Sequence, residues 1–368
     1  MSCFKWIILA ALSLALPARA DILIGQTTGL TGPVAAGVKE TQLGAQLYLD
    51  AINAQGGVHG QKVRLLTLDD QFEAAKAANN AETLITQNKV LALFLSRGTA
   101  TTEAMLPLVE RYGVPLIAPS SGAQSLYEPV KKQVFIVRTP YRLEAAQTIV
   151  MMSKMGASRI GVVYQDDAFG ADGLAGAKEG FKELGFDPAF VDKIDRSAPN
   201  FAPISKRLAR TDVQSVLIIA SAKWAAQGIV QMRDEGITTQ FASLSNNASE
   251  GFIKLLGKHA KGVIVAQVFP YERSVVYPMV KEAAKLLKGQ KDEAVTPSIL
   301  EGLAAAKVLV GALRAAGPNP SRSSLQTALE GLHKFDVGGL DLSYGPNDHR
   351  GLSFVELSII SGNGTFLR

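Results

Sequence analysis

The stretch VLALFLSRGTATTEAMLPLVERYGVPLIAPSSG, residues 90–122, carries the pattern from which the fold follows. Residues 90–96 form an apolar run of buried-strand length. Residues 101–112 have helical spacing, and residues 114–119 are a second apolar run. Strand, helix and strand with short connections imply parallel strands bridged by a helix. Upstream, residues 22–26 read as a strand. A helix follows with Leu43, Leu47 and Ala51 on one face, flanked by Tyr48 and Ile52. Gly56-Gly57 ends it, since glycine tolerates left-handed backbone. Residues 62–70 alternate as a strand and residues 73–88 read as an alanine-rich helix.

Downstream, residues 134–138 read as a strand, and the rhythm then restarts. Helices are expected over 142–155, 173–184 and 224–235, and strands over 159–165, 213–220, 240–244 and 262–269. Two such series imply two similar lobes, each a parallel sheet covered by helices. Two long helical patterns follow, 276–288 and 298–316, the second broken by Gly317-Pro318-Asn319-Pro320. The tail, 338–368, reads as strands with turns at Gly345-Pro346-Asn347 and Gly362-Asn363-Gly364.

The N-terminus has the grammar of a secretory signal peptide over residues 1–20. Lys5 supplies the positive charge, residues 6–16 the apolar run, and Ala18-Arg19-Ala20 the small-x-small cleavage pattern. The expected mature start is Asp21, which places the protein in the periplasm. The apolar run is short for a bilayer span of about 20 residues, and none is expected elsewhere. The single cysteine, Cys3, precedes the run, whereas a lipoprotein cysteine would follow it. The remaining chain therefore holds no disulfide, no thiolate metal site and no cysteine nucleophile. Without Lys5 and Arg19 the chain keeps 36 basic against 33 acidic residues, spread without runs. Nucleic acid is excluded as a partner on that distribution.

No catalytic constellation is apparent. His59, His259, His333 and His349 stand apart from any zinc-ligand spacing and are expected at the surface. No G-x-S-x-G elbow occurs, and Ser120-Ser121-Gly122 has no local base. The glycines of residues 251–258 are one residue too widely spaced for a phosphate loop. Asp166-Asp167 after a strand reads as solvated carboxylates rather than a metal site. No G-x-G-x-x-G supports a dinucleotide site. No enzyme, cofactor or metal is expected.

What remains is three loops rich in glycine and hydroxyls: residues 27–33, 97–102 and 120–122. The second and third follow strands, where ligands of open α/β sheets bind. Their N–H groups and hydroxyls suit a carboxylate, although capping of helices is the competing role for the same hydroxyls.

At these loops the chain resembles the leucine/isoleucine/valine-binding protein family of ABC importers. The stretches that carry the resemblance are Thr28-Gly29-Leu30-Thr31-Gly32-Pro33, Ala51-Ile52-Asn53-Ala54-Gln55-Gly56-Gly57-Val58-His59-Gly60, Leu68-Asp69-Asp70 and Gly113-Val114-Pro115-Leu116-Ile117-Ala118-Pro119. Residues 160–170 and 338–351 extend it. The resemblance implies an α/β type I periplasmic binding fold, two Rossmann-like lobes with parallel sheets joined by a three-strand hinge. The N-terminal lobe would take 21–139 plus 269–343, and the C-terminal lobe 140–268 plus 344–368. The implied function is a monomeric, non-enzymatic substrate-binding protein that hands a small-molecule ligand to permease subunits of an ABC importer. A periplasmic sensor on the same fold is the alternative.

Carried over position by position, the resemblance puts the family's carboxylate groups on Thr99, Ser120 and Gly122, the last replacing a usual threonine. The family's second-lobe aromatic falls on Phe169. Its ammonium-binding tyrosine and glutamate fall on Ser221 and Ser245. A buried ammonium wants a carboxylate, so either Glu250, Asp166 or Asp167 substitutes or the ligand has no ammonium. A branched-chain amino acid and an aromatic or other organic acid both remain open. Arg97 is a candidate bidentate anion contact, with an interlobe or surface salt bridge as its other role. Tyr141 and Arg142 are candidate wall residues.

Overall fold

The computed structural model describes residues 20–290 and 294–368. Apart from Ala20, the expected signal peptide, residues 1–20, lies outside the described residues.

Two parallel sheets organise the chain. The first contains β1 (Ile22–Thr28), β2 (Val63–Asp69), β3 (Ala92–Phe94), β4 (Leu116–Ile117) and β5 (Val134–Phe135). Its order is β2-β1-β3-β4-β5. The second is built on β6 (Ile160–Gln165), β7 (Phe190–Ile194), β8 (Ser215–Ile219), β9 (Gln240–Ser243) and β10 (Ile264–Gln267). Its order β7-β6-β8-β9-β10 repeats that of the first sheet. The small β11 (Phe335–Asp336) and β12 (Asp341–Leu342) pair with each other, whereas β13 (Glu356–Ile360) and β14 (Phe366–Leu367) extend the second sheet antiparallel. The chain passes between sheets three times: after β5, after β10 and before β13.

Helices cover the sheets. They are α1 (Ala35–Ala54), α2 (Ala74–Thr86), α3 (Thr99–Tyr112), α4 (Tyr141–Lys154), α5 (Ala168–Leu184), α6 (Ala202–Leu208), α7 (Ala222–Asp234), α8 (Glu250–Leu256), α9 (Pro278–Leu287), α10 (Pro297–Ala316) and α11 (Arg322–Glu330). Helix α10 is apolar nearly all round and packs against α1 so closely that the Gly302 backbone lies on the Thr41 carbonyl. A methyl there would have no room, which is why a glycine interrupts this helix. No described helix is long and apolar enough to cross a membrane.

Several elements depart from expectation. Helix α5 starts at Ala168, five residues before the expected start, because the Asp167 side chain accepts the Gly170 N–H at 3.0 Å and caps it. The near-phosphate-loop segment at 251–258 is mostly helix α8, capped by Ser249. The edge strand β7 and the short α6 were not legible, since both mix charges into short segments. Helix α11 shows its start only as a Ser321/Ser324 capping box. The expectation that all four histidines lie at the surface fails at His349. That side chain is buried and stacked on Phe135 at 4.0 Å. The third passage of the chain runs beside β5 and places it there.

Candidate functional site

Both sheets have the order in which a crevice opens between the first and third strands, where successive connections leave in opposite directions. In the first sheet that crevice lies at the carboxyl ends of β1 and β3, beside Thr28 and Arg97. In the second it lies at the ends of β6 and β8, beside Gln165 and Ser221. The described contacts close one crevice onto the other. Lys223 N–H donates to the Pro33 carbonyl at 3.3 Å, and Arg196 donates to the Phe72 carbonyl at 2.8 Å. The Glu40 carboxylate, on α1, accepts N–H groups of Glu250 and Gly251 at the start of α8.

Arg97 stands at the centre of this contact. Its side chain is 95% buried by its 5% exposure, Nη1 donates to Ser120 Oγ at 3.0 Å, and Nη2 donates across the cleft to the Asn246 carbonyl at 2.7 Å. Burial, the dominant influence, draws its pKa below the ordinary arginine value. Among the described residues no carboxylate lies within 4.0 Å of its guanidinium. The interlobe role therefore runs through a carbonyl rather than a salt bridge. A small cavity of about 10 Å³ beside it, room for about one water, is lined by Gln26, Thr28, Thr41, Gln42, Leu95 and Ser120 among others.

Thr99 opens α3 and shares a hydrogen bond of 2.9 Å with Ser121 Oγ. The residue before the helix is Gly98 at φ 92°, and it offers no side chain. Thr101 and Thr102 donate to backbone carbonyls rather than capping N–H groups. Hydroxyl N-capping thus does not account for this loop. At Gly122, a Cβ would come within 2.7 Å of both the Thr139 carbonyl and the Tyr141 nitrogen. The first passage between lobes occupies the space that a threonine would need.

Tyr141 and Phe169 meet edge to face at 4.9 Å within a buried apolar cluster. Ser221 Oγ donates to Gln165 Oε1 at 2.9 Å. Arg142 turns away to Asp172 at 3.1 Å. The three carboxylates considered as ammonium partners are engaged elsewhere. Asp166 pairs with Lys193 at the surface, Asp167 caps α5, and Glu250 pairs with Lys254.

Ser245 leads to a cluster that sequence reasoning missed. Arg138 Nη2 donates to Ser245 Oγ at 2.5 Å and to Glu144 at 3.0 Å. Glu144 also accepts the Ser245 N–H at 2.5 Å, and Glu301 on α10 lies 3.8 Å from Arg138. The guanidinium sits over the Tyr141 ring at 4.6 Å. Burial opposes its charge, but Tyr141 and the Glu301 and Glu144 carboxylates outweigh that, raising its pKa above the ordinary value. The only sequence signal for this cluster was an arginine ending an apolar strand run.

Two parallel-sheet lobes of one topology, closed over a polar crevice, define the type I periplasmic binding fold. The chain belongs to the periplasmic binding protein family, whose model matches residues 21–356. It is similar to the Leu/Ile/Val/Thr-binding protein of Salmonella typhimurium, 25% identical over 76% of each chain. A solved substrate-binding periplasmic protein from Ralstonia solanacearum is 30% identical, with a TM-score of 0.87 over 94% of this chain and 99% of its own. A possible leucine/isoleucine/valine-binding protein from Rhodopirellula baltica is 25% identical, with a TM-score of 0.87 over 96% and 98%. These relatives carry the names of binding proteins, not of enzymes.

Proposed function

We propose that this protein is the solute-binding component of an ABC importer. It is exported to the periplasm through a cleaved signal peptide and carries a small carboxylate-bearing solute between its lobes. The lobes of the proposal are 21–139 plus 269–343 and 140–268 plus 344–368. The observation that supports the carboxylate is Arg97, a buried guanidinium that touches both lobes and has no protein carboxylate within 4.0 Å among the described residues. A buried cation without a counterion is costly, and a ligand carboxylate would offset that cost while bridging the lobes. The amino acids after which these relatives are named all carry such a group.

The mechanism is closure without covalent chemistry. A solute that touches Arg97 and Ser120 on one side and the Phe169, Ser221 and Asn246 side on the other favours the closed state by its differential affinity. The closed form then docks on the permease subunits.

A thermal-shift panel of carboxylic acids, with matched amides as controls, tests this. Acids are expected to stabilise the protein and their amides are not. Arg97→Gln, or Thr99→Ala with Ser120→Ala, is expected to abolish the shift. Equal stabilisation by acids and amides, or an unchanged response in Arg97→Gln, would refute the site.

A further inference from the structure

We propose that Glu40 is the latch of lobe closure, a positioning residue that touches no solute and sets affinity through the lifetime of the closed form; this rests on the reading that a solute closes the lobes. One short turn of the second lobe, residues 246–251, is gripped through its backbone by three separate side chains of the first lobe, and Glu40 takes the largest share.

Glu40 stands on α1, beside the first sheet, and is 6% exposed. Its Oε1 accepts the Gly251 N–H at 2.8 Å and its Oε2 the Glu250 N–H at 3.2 Å. Both N–H groups open α8, where no earlier helical carbonyl receives them. Ser249 Oγ takes the next one, that of Phe252, at 3.1 Å, and leaves the first two to Glu40. Oε2 also accepts the Thr296 hydroxyl at 2.7 Å. Thr296 caps α10 and belongs to the same lobe as α1, so the carboxylate is aimed by its own lobe. Ser298 donates to the Ala248 carbonyl at 3.1 Å, and Arg97 to the Asn246 carbonyl at 2.7 Å.

Hydrogen bonds from backbone N–H groups to a carboxylate are among the strong ones. Glu40 does not line the cavity at Arg97. It lines a separate cavity of about 150 Å³ with Ala36, Leu43 and Gly251, and the two cavities share no residue. The carboxylate therefore acts on the turn and not on the solute. That turn carries the Asn246 carbonyl facing Arg97, so holding it keeps both sides of the candidate site together. A contact made only on closure slows release and leaves the encounter with the open form unchanged. Glutamine at this position keeps the shape but turns an amide NH2 toward the donors, which leaves an N–H at the start of α8 unpaired.

Stopped-flow binding tests this, with leucine, isovalerate, benzoate and phenylacetate as probes. The reporter is Trp224, the only tryptophan from Asp21 on, beside the Lys223 that meets Pro33 across the cleft. For each probe that binds the wild type, Glu40→Gln is expected to raise the dissociation rate about tenfold and to change the association rate by less than about twofold. A dissociation rate within about twofold of wild type overturns the latch, even where the urea midpoint falls, because a merely structural Glu40 would stabilise the fold without slowing release. A loss carried by the association rate overturns it too. Should Glu40→Gln fail to fold, Ser298→Ala removes another grip on the same turn and is expected to raise the dissociation rate about threefold; an unchanged rate there overturns the latch. Binding that is lost in Arg97→Gln but released from Glu40→Gln at the wild-type rate overturns the latch alone. If no probe binds the wild type, the latch falls together with the carboxylate site.

Discussion

Arg97 and Arg138 are two buried arginines at one cleft with opposite surroundings. Arg138, at the first passage between lobes, is ringed by Glu144, Glu301, Ser245 and Tyr141. Arg97, three residues beyond β3, has a hydroxyl and a carbonyl as partners and, among the described residues, no carboxylate within 4.0 Å. Where the chain supplies the counterion, the arginine joins the lobes as structure. Where no carboxylate lies in contact, the proposed function assigns the charge to the bound solute.

The strongest way to break that contrast is to remove each cation. Arg138→Met leaves Glu144 and Glu301 buried without their partner and is expected to cost about 3–5 kcal/mol, read as a lower urea midpoint at unchanged slope. Arg97→Met removes a cation that has no ion pair, and its cost is expected within about 1 kcal/mol. Equal losses in the two variants would erase the distinction. In binding the order reverses. A carboxylic acid at a hundredfold excess over its Kd should stabilise the wild type by about 2.7 kcal/mol, and this gain should vanish in Arg97→Met.

A third buried charge sharpens the contrast by pH. Glu272, on the second passage between lobes, has a buried Oε2 without a hydrogen-bond partner. Burial pushes its pKa from 4.5 up to about 7, against its own N–H and Arg273. The folded state thus favours the protonated acid. Stability from this site is fully present below pH 4.5 and is lost as pH rises through about 7. Glu272→Gln should flatten that dependence, by about 2 kcal/mol between acid and mildly alkaline solution, as followed by urea titration at each pH. A variant with the wild-type slope would show that Glu272 finds a partner on ionisation.

The smallest effect tests closure itself. A Cβ on Gly251 would sit 2.6 Å from the Ala36 Cβ across the cleft. Gly251→Ala should act as a wedge, weakening solute binding about tenfold while the circular dichroism spectrum is unchanged. Unaltered affinity would mean that α1 and α8 separate in the bound state.

Much of the candidate site was legible because strand-end loops are local features. Arg97, Thr99 and Ser120 follow apolar runs, and the rule that ligands sit beyond strand carboxyl ends selects them. The Arg138 cluster was not legible for the opposite reason. Glu144 lies on the next helix, whose inner face could not be assigned from a pattern with apolar residues on several sides. Ser245 and Glu301 are more than a hundred residues away. Gly122 shows both sides: its position was visible in the sequence, but the steric reason for a glycine lies in the Thr139 carbonyl beside it.

The sequence by itself determined the alternation of strands and helices, the two similar lobes and the hydroxyl-rich loops at their strand ends. These depend on hydrophobic periodicity and turn residues over short windows. Only the tertiary structure decided which charges are matched. Arg97 reaches Asn246 and Arg138 reaches Glu301 because two lobes fold separately and then close on each other. Electrostatic balance at a cleft is a property of distances between remote side chains, and no local pattern contains it.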